Sequence, residues 1–376
     1  MLFRSLIDLD AIAHNTRVLA QASRAAELMA VVKADGFGHG AGPVARAALR
    51  SGATWLGVTS GAEAMALRGE GVTAPVLIWL YPPDEDLTAV VRAGVDISVP
   101  SPAHLRAVAG AARRGRRRAK VHLKVDTGLS RSGATLEDWP ELVRRARRLE
   151  RAGVVSVRGL WSHLANAERI DDPGVDRQLA RFLAAGAQAV AAGLDPAVRH
   201  LANSAALFQH PRTHFDVTRA GIGLYGLEPV PGRSFGLRPA MSLRAEVVFT
   251  KRVPAGAEVS YGYDYQTDRA TTLALLPLGF ADGVPRQVTG QGEVLIRGVR
   301  CRIAGRIAMD QIVVDAGDLE VASGDIAVLF GSGGDGEPTV EDWARWAGTN
   351  PHEILTGIGT RVPRRYRESG EERVAA

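Results

Sequence analysis

The chain has 376 residues, 46% of them hydrophobic and 23% charged, which is enough apolar material for a large barrel or for two globular domains. The net charge of +5 suits small anionic ligands, but the arginine-rich run at 113–118 has no interleaved aromatic residues, so we expect no nucleic-acid partner. The single cysteine, Cys301, excludes an internal disulfide and a cysteine-rich metal site, and we expect no metal. Neither a secretory signal pattern nor an apolar run of about 20 residues is present, which predicts a cytoplasmic protein without a membrane span.

Short apolar segments alternate with helical segments through the first part of the chain. The predicted strands are 28–33, 54–59, 75–80, 95–99, 121–125, 157–163, 198–202 and 215–224, and clear helical periodicity covers 43–50 and 177–192. This alternation is typical of βαβ units with a parallel sheet. Eight such units predict a TIM-type (β/α)8 barrel.

The pattern changes after Gly226, where strand-like segments become shorter and are punctuated by Gly, Pro and Asp. They lie at 244–250, 272–277, 292–296, 300–307, 311–315 and 326–330, followed by a helix near 340–346. We therefore predict an α/β protein with a barrel over residues 1–232 and a mainly β C-terminal domain over 233–376.

Polar residues stand where the predicted barrel strands end, and a barrel places its chemistry at that face. They are Lys33, Lys124, Asp126, His163, His200, Asn203, Ser204 and Arg219. The Ser204 hydroxyl and the backbone N–H groups of Gly221 and Ile222 follow strands seven and eight, where phosphate sites are common in barrels. A partly desolvated Lys33 could form a Schiff base, so a lysine and a phosphate site on one face suggest pyridoxal 5'-phosphate (PLP).

Several motifs then resemble one family. MAVVKADGFGHG is similar to the VVKANAYGHG motif of alanine racemases, the barrel-type PLP-dependent racemases. HLKVDTGLSRSG, ANSAA, TRAGIGLYG, SYG, GFADG, GRIAMDQ and RVPRRY match further motifs in the family's order. The resemblance extends from IDLDAIAHN near the start to RVPRRY near the end of the chain, and it implies interconversion of L- and D-alanine.

The resemblance also implies a role for each matching residue. Lys33 would hold PLP and act as the base on one face of the substrate, and Tyr261 of a partner subunit would act on the other, so a homodimer is expected. His163, Asn203, Ser204, Arg219, Gly221, Ile222 and His352 would bind the cofactor, with Arg219 at the pyridine nitrogen, and Arg131, Met309 and Asp310 would bind the substrate. His200 would support Arg219, and Lys124 would be carbamylated or, alternatively, unmodified.

Three positions depart from the family pattern because an expected tyrosine is absent. Phe37, Phe280 and His352 stand at these positions, which the family places near the phosphate or the site entrance. Drift and a changed substrate preference are both open explanations. The alternatives in function are a racemase of another small amino acid such as serine, a barrel-type PLP decarboxylase, and a PLP-binding protein without turnover.

Overall fold

The computed structural model describes residues 2–369 and 371–374, which form two compact units. The barrel unit comprises residues 13–36 and 41–237. The β unit comprises the described parts of residues 1–12, 37–40 and 238–376.

The first strand, β1 (Phe3–Asp8), belongs to the β unit although it precedes the barrel in the chain. It pairs antiparallel with Met241–Glu246 and parallel with Arg364–Glu368. Both edges of β1 are therefore hydrogen-bonded by strands distant in sequence. The predicted barrel range of 1–232 had included these residues.

An eight-stranded parallel sheet forms the core of the barrel unit in the described part of the chain. Its strands are β2 (Glu27–Val31), β3 (Trp55–Val58), β4 (Val76–Ile78), β5 (Asp96–Val99), β6 (Ala119–Lys124), β7 (Val155–Trp161), β8 (Val198–His200) and β9 (Val217–Ala220). Neighbours in space follow chain order from β2 to β8, and β9 pairs with β2. The N–H of Asp216 donates to the carbonyl of Arg199 at 3.0 Å, which brings β9 to β8 and nearly closes the barrel. The predicted α/β barrel is confirmed.

One helix precedes β2, and the others follow barrel strands, as the alternation predicts. They are α1 (Leu9–Ala22), α2 (Ala41–Arg50), α3 (Gly61–Gly69), α4 (Thr88–Arg92), α5 (Pro102–Gly115), α6 (Trp139–Arg151), α7 (Gly174–Ala191) and α8 (Ser204–Gln209). Side-chain caps fix several N-termini: the Ser60 hydroxyl accepts from the N–H of Glu63, and Ser101 accepts from the N–H of His104. These caps set where α3 and α5 begin, at the barrel face where the strands end.

The β unit is built on a mostly antiparallel sheet. Its further strands are β10 (Met241–Glu246), β11 (Phe249–Val253), β12 (Glu258–Val259), β13 (Tyr265–Gln266), β14 (Thr271–Leu276), β15 (Glu293–Ile296), β16 (Val299–Ile303), β17 (Ile312–Asp315), β18 (Ile326–Phe330), β19 (Arg364–Glu368) and β20 (Glu371–Val374), with helices α9 (Val340–Ala347) and α10 (Pro351–Gly357). Strands β12 and β13 form a separate ribbon, and the others join β1 in one sheet. The predicted mainly β character of this region is confirmed.

Three predicted strands differ most from the observed ones. The segment 215–224 is a strand only over Val217–Ala220, because the chain then enters a 3-10 turn at Ile222–Tyr225. The segment 244–250 covers the end of β10 and the start of β11, and 300–307 is a strand only to Ile303. In each case the predicted segment extends past the end of the observed strand. Among the described residues, no helix combines the length and apolar character needed to cross a bilayer.

Candidate active site

Lys33 begins a left-handed turn directly after strand β2. Ala34, Asp35 and Gly36 have φ values of 53°, 51° and 60°, and the N–H of Gly36 donates to the carbonyl of Val32 at 2.9 Å. For residues other than glycine, this left-handed conformation costs roughly 1–2 kcal/mol per residue. Such strain persists only where surrounding contacts enforce it, and it is concentrated at functional sites.

Glu63, at the start of α3, helps to hold the left-handed turn in place. Its carboxylate accepts the N–H of Ala34 at 2.7 Å through Oε1 and the N–H of Thr59 at 2.6 Å through Oε2. The Lys33 turn is thereby tied to the end of strand β3. The sequence analysis missed Glu63, whose only local signal is the capping box it forms with Ser60.

Four cationic side chains lie within electrostatic reach of one another at this barrel face. Burial lowers the pKa of Lys33, and the Arg131 guanidinium lowers it further, while Glu63 acts in the opposite direction. Burial is the largest cause that lowers the pKa of Lys124 to about 8, and the charges of Arg219 and Arg131 lower it further. A site in which ammonium and guanidinium groups repel one another is suited to an anionic ligand.

Arg219, on strand β9, is buried and held in one orientation by hydrogen bonds. One terminal nitrogen donates to the carbonyls of Ser162 at 2.9 Å and Leu201 at 3.0 Å, and the other lies 3.2 Å from Nδ1 of His200. Burial lowers the pKa of Arg219 to about 9, which leaves the guanidinium protonated at neutral pH. His200 therefore supports Arg219 directly.

His163 follows strand β7 and faces the same cations. Its Nδ1 lies 3.4 Å from a terminal nitrogen of Arg219. Burial, followed by the charges of Arg219, Arg131 and the two lysines, lowers the pKa of His163 to about 2. The imidazole is therefore neutral, and since Nδ1 faces an N–H donor, its proton is assigned to Nε2.

Ser204 and Gly221 meet where strands β8 and β9 end. The N–H of Gly221 donates to the Ser204 hydroxyl at 2.9 Å, which leaves the hydroxyl proton to point elsewhere. The Asn203 side-chain oxygen accepts the N–H of Ala206 at 3.0 Å and thereby caps α8. Ile222 continues from Gly221 into the 3-10 turn.

Arg131 is carried by a loop that folds back on the end of strand β6. Asp126 Oδ1 accepts the N–H groups of Gly128 at 2.9 Å and Ser130 at 3.2 Å, and the N–H of Ala134 donates to the carbonyl of Lys124 at 2.9 Å. The loop therefore presents Arg131 at the face that carries Lys124.

In the β unit, Tyr261 and Met309 are exposed on neighbouring turns, with 70% and 56% of their surfaces accessible. The Ser260 hydroxyl donates to the carbonyl of Arg306 at 2.6 Å, which joins the turn of Tyr261 to the turn of Met309. Phe280 is 42% exposed and lies on a third turn. Its backbone N–H donates to the carbonyl of Ala308 at 3.1 Å.

The carboxylate of Asp310 is bound by an arginine of the β unit. It accepts a hydrogen bond from Arg361 at 2.8 Å, and the same guanidinium lies 3.2 Å from the buried Asp282. Asp310 is thus placed to fix the turn that carries Met309.

Two of the positions without the expected tyrosine lie together in the β unit. The rings of Phe37 and His352 are 5.8 Å apart and tilted by 44°. The Phe37 ring is buried and has no hydrogen-bond donor. Neither Phe37 nor His352 therefore supplies the phenolic hydroxyl that a tyrosine would.

The structure therefore brings Lys33, Lys124, Arg131, His163, His200 and Arg219 together at one barrel face, with Ser204, Gly221 and Ile222 beside Arg219. Tyr261, Met309, Asp310 and His352 belong to the β unit. Across residues 2–369 and 371–374, no group of three or more His, Cys, Asp or Glu side chains is arranged to hold a metal ion.

Comparison with known families gives matches along both units. Residues 7–229 match the family described as "Alanine racemase, N-terminal domain", and residues 240–366 match "Alanine racemase, C-terminal domain". A protein of Salinispora arenicola named alanine racemase is 54% identical over 361 residues, covering 96% of this chain and 97% of the relative. One from Frankia casuarinae with the same name is 52% identical over 366 residues, covering 96% and 95%.

Solved structures agree with these sequence relatives. The alanine racemase of D-cycloserine-producing Streptomyces lavendulae matches with a TM-score of 0.96 at 46% identity, covering 98% of each chain. The alanine racemase of Streptomyces coelicolor matches with a TM-score of 0.95 at 48% identity, covering 97% of this chain and 98% of that one.

Proposed function

The chain belongs to the alanine racemase family, and from this premise we propose that it interconverts L- and D-alanine with PLP as its cofactor. The observation that carries the proposal is the pairing of a partly desolvated Lys33 with a fixed, protonated Arg219 at one barrel face. At this level of identity over nearly the whole length, a decarboxylase or a PLP carrier is not favoured.

The residues at this face fit PLP by their chemistry. The surrounding lysines and arginines suit an anionic phosphate. Ser204 accepts the N–H of Gly221 and keeps its own O–H as a donor for the phosphate, and the backbone N–H of Ile222 is a second donor. Lys33 supplies the amine for the covalent link. When bound, PLP acts as an electron sink that stabilises negative charge at the substrate Cα.

Lys33 is proposed as the base on one face of Cα. A lowered pKa leaves a larger fraction of its Nζ unprotonated at neutral pH, and only that form can accept the α-proton. Glu63 holds the turn that aims Nζ, so the proton is removed from a fixed direction.

Arg219 is proposed to donate a hydrogen bond to the pyridine nitrogen. Because its guanidinium stays protonated, it offers a hydrogen bond without transferring a proton to the ring. This arrangement keeps the negative charge near Cα, which favours return of a proton there over transamination.

Racemisation also needs a proton donor on the opposite face, and we propose Tyr261 of the partner subunit for this role. Its exposure of 70% leaves the phenol available to a second chain. A tyrosine with a reference pKa near 10 must be activated, and the neutral His163 can donate its Nε2–H to the phenol oxygen. A homodimer with shared sites is therefore part of the proposal.

Arg131 is proposed to bind the substrate carboxylate, with the turn of Met309 closing the other side. Asp310 is itself an anion and is bound by Arg361, so we assign it to holding that turn rather than to contacting the carboxylate. A cytoplasmic location stays a prediction from the sequence pattern, and a role in supplying D-alanine for the cell wall is what the resemblance implies.

Proton NMR in D₂O tests the proposed reaction. Purified protein with PLP is expected to remove the α-proton signal of L-alanine and to form D-alanine, and Lys33→Ala is expected to abolish both. Lys120→Ala, on strand β6, is the matched lysine control. Exchange mainly with serine would assign a different substrate, and no exchange with any amino acid would refute the racemase proposal.

The covalent site can be identified separately because the sequence has only four lysines: Lys33, Lys120, Lys124 and Lys251. Borohydride reduction followed by peptide mass spectrometry is expected to leave the cofactor on Lys33. Labelling of Lys124 instead would reassign the roles of the two buried lysines.

A further inference from the structure

A row of buried polar side chains runs through the barrel behind Arg219. The His122 ring, on strand β6, places Nδ1 2.8 Å from His200 Nε2 and Nε2 3.3 Å from Asp96 Oδ1. Asp96 is in turn bound by Arg158, whose terminal nitrogen lies 3.1 and 3.2 Å from its two carboxylate oxygens. The row thus connects Arg158 to Arg219 through one carboxylate and two imidazoles.

The hydrogen bonds in this row leave one consistent arrangement of protons. Arg219 only donates, so His200 Nδ1 must accept and the proton of His200 must sit on Nε2. His200 Nε2–H then donates to His122 Nδ1, and His122 Nε2–H donates to the Asp96 carboxylate. Asp96 and His122 therefore provide the acceptor that keeps the proton of His200 on Nε2, so that the unprotonated Nδ1 faces Arg219.

Building on the proposed function, we infer that His122 is a positioning residue that, with Asp96, locks His200 in the Nε2–H form and thereby fixes the hydrogen-bond direction of Arg219. With the other form, a His200 Nδ1–H would face the N–H of Arg219, and two donors would oppose each other. The guanidinium would then turn away from the direction that its carbonyl partners define.

The backbone is adapted to the His122 ring. The pairing of β6 with β7 shifts register between Val121 and His122, and the residue beside the ring on β7 is Gly159. A Cβ at Gly159 would lie 2.3 Å from His122 Nδ1 and 2.7 Å from its Cε1. Only glycine leaves room for the ring at this point, which is a specific accommodation beyond ordinary core packing.

Aromatic contacts hold the two imidazoles in place. Trp161 stacks on His200 with ring centroids 5.4 Å apart and an angle of 10°. Trp55 meets His122 edge-on at 5.7 Å and 76°. His122, His200 and Asp96 have no accessible surface, and burial lowers the pKa of His200 well below its usual value, which keeps that ring neutral.

The test reads the tautomer of His200 directly, by ¹⁵N NMR of histidine-labelled protein without substrate. The nine histidines give a small set of signals, and His200→Gln identifies the signals of His200. The wild type is expected to show protonated Nε2 and unprotonated Nδ1. His122→Leu is expected to abolish this fixed pattern, and His122→Gln, whose amide can both accept and donate, is expected to restore it.

Gly159→Ala provides a second route to the same result without deleting a polar group. Its Cβ would push His122 away from His200, so the tautomer pattern should again be lost. Gly57→Ala is the matched control, because its Cβ would meet the apolar Trp79 and Met29 at 2.9 and 3.0 Å and should leave the His200 pattern intact.

Racemisation rates complete the experiment. Misdirecting a charge-assisted hydrogen bond is expected to lower kcat about ten- to a hundredfold in His122→Leu, with recovery in His122→Gln. His214→Gln, at another buried histidine, controls for loss of packing. A His200 that keeps protonated Nε2 in His122→Leu would overturn the inference, whereas a fixed tautomer in a wild type that racemises nothing would refute only the proposed function.

Discussion

The Lys124 Nζ atom lies 4.4 Å above the ring centroid of Trp161, the same indole that stacks on His200. A cation–π interaction with the indole stabilises the ammonium form of Lys124. Burial and the two neighbouring guanidinium groups nevertheless lower the pKa of Lys124 to about 8. About a tenth of Lys124 would then be neutral at pH 7, far more than for a free lysine. The site therefore favours a chemical change that removes the positive charge.

We predict that Lys124 is carbamylated. Addition of CO₂ to the neutral amine would replace a cation among Arg219 and Arg131 with an anion, so the two guanidinium groups would stabilise the product. In the presence of ¹³C-bicarbonate, ¹³C NMR should show one protected carbamate signal. Lys124→Met should remove it and Lys120→Met should not; a spectrum without the signal at high bicarbonate would establish the unmodified lysine.

A second prediction concerns the buried Phe37 ring beside His352. Phe37→Tyr would supply a hydroxyl at the position where the family pattern has one. A neutral hydrogen bond contributes about 0.5–1.5 kcal/mol, so PLP should dissociate up to about tenfold more slowly during dialysis. Phe249→Tyr, on the exposed strand β11, is the matched control. Unchanged or faster loss of PLP in Phe37→Tyr would contradict a phosphate contact at this position.

The sequence predicted the parts of the site that are local. Lys33 and Arg219 stand at the ends of apolar strands, so the barrel pattern alone assigned them to one face. His122 gave no comparable signal, because it sits within a strand and its partner His200 lies 78 positions away. Glu63 was missed for the same reason, since the N–H of Ala34 that it accepts is 29 positions away.

The fold shows the same division between local and distant information. The two-residue period of the strands and their alternation with helices are local patterns in the sequence. These patterns were sufficient to predict a barrel followed by a mainly β region. The membership of β1 in the second sheet depends on pairing with β10 and β19, which both follow the barrel segment in the chain. No periodicity within FRSLID could indicate those partners.

A third prediction is the effect of acid on stability through His163. Its folded-state pKa of about 2 is below the unfolded value near 6.5, so the unfolded chain binds the proton more readily between these values. The contribution of neutral His163 is complete above about pH 6.5 and is lost as the pH falls toward 2. The free energy of unfolding should fall more steeply with acidification in the wild type than in His163→Gln, by at most about 1.4 kcal/mol per pH unit.

Urea titrations at several pH values between 7.5 and 4.5 measure that difference. Because all other groups are common to both proteins, their contributions cancel in the comparison. Parallel curves for the wild type and His163→Gln would show that the pKa of His163 is not lowered in the folded protein. That result would also remove the argument that a neutral His163 donates its Nε2–H to Tyr261.

The last prediction concerns the sharing of sites between subunits. Lys33 lies in the barrel unit and Tyr261 in the β unit. In the proposed dimer each site combines Lys33 of one chain with Tyr261 of the other, so two chains that each lack one base form one complete site when paired. Lys33→Ala and Tyr261→Phe should each be nearly inactive alone, and their mixture should recover up to about a quarter of wild-type activity, because random exchange makes half of the dimers mixed and each mixed dimer has one intact site. Tyr263→Phe, equally exposed two residues away, is the matched control and should need no partner for activity. Subunit exchange is verified with two affinity tags, and a mixed dimer isolated through both tags without activity would place both bases in the same chain.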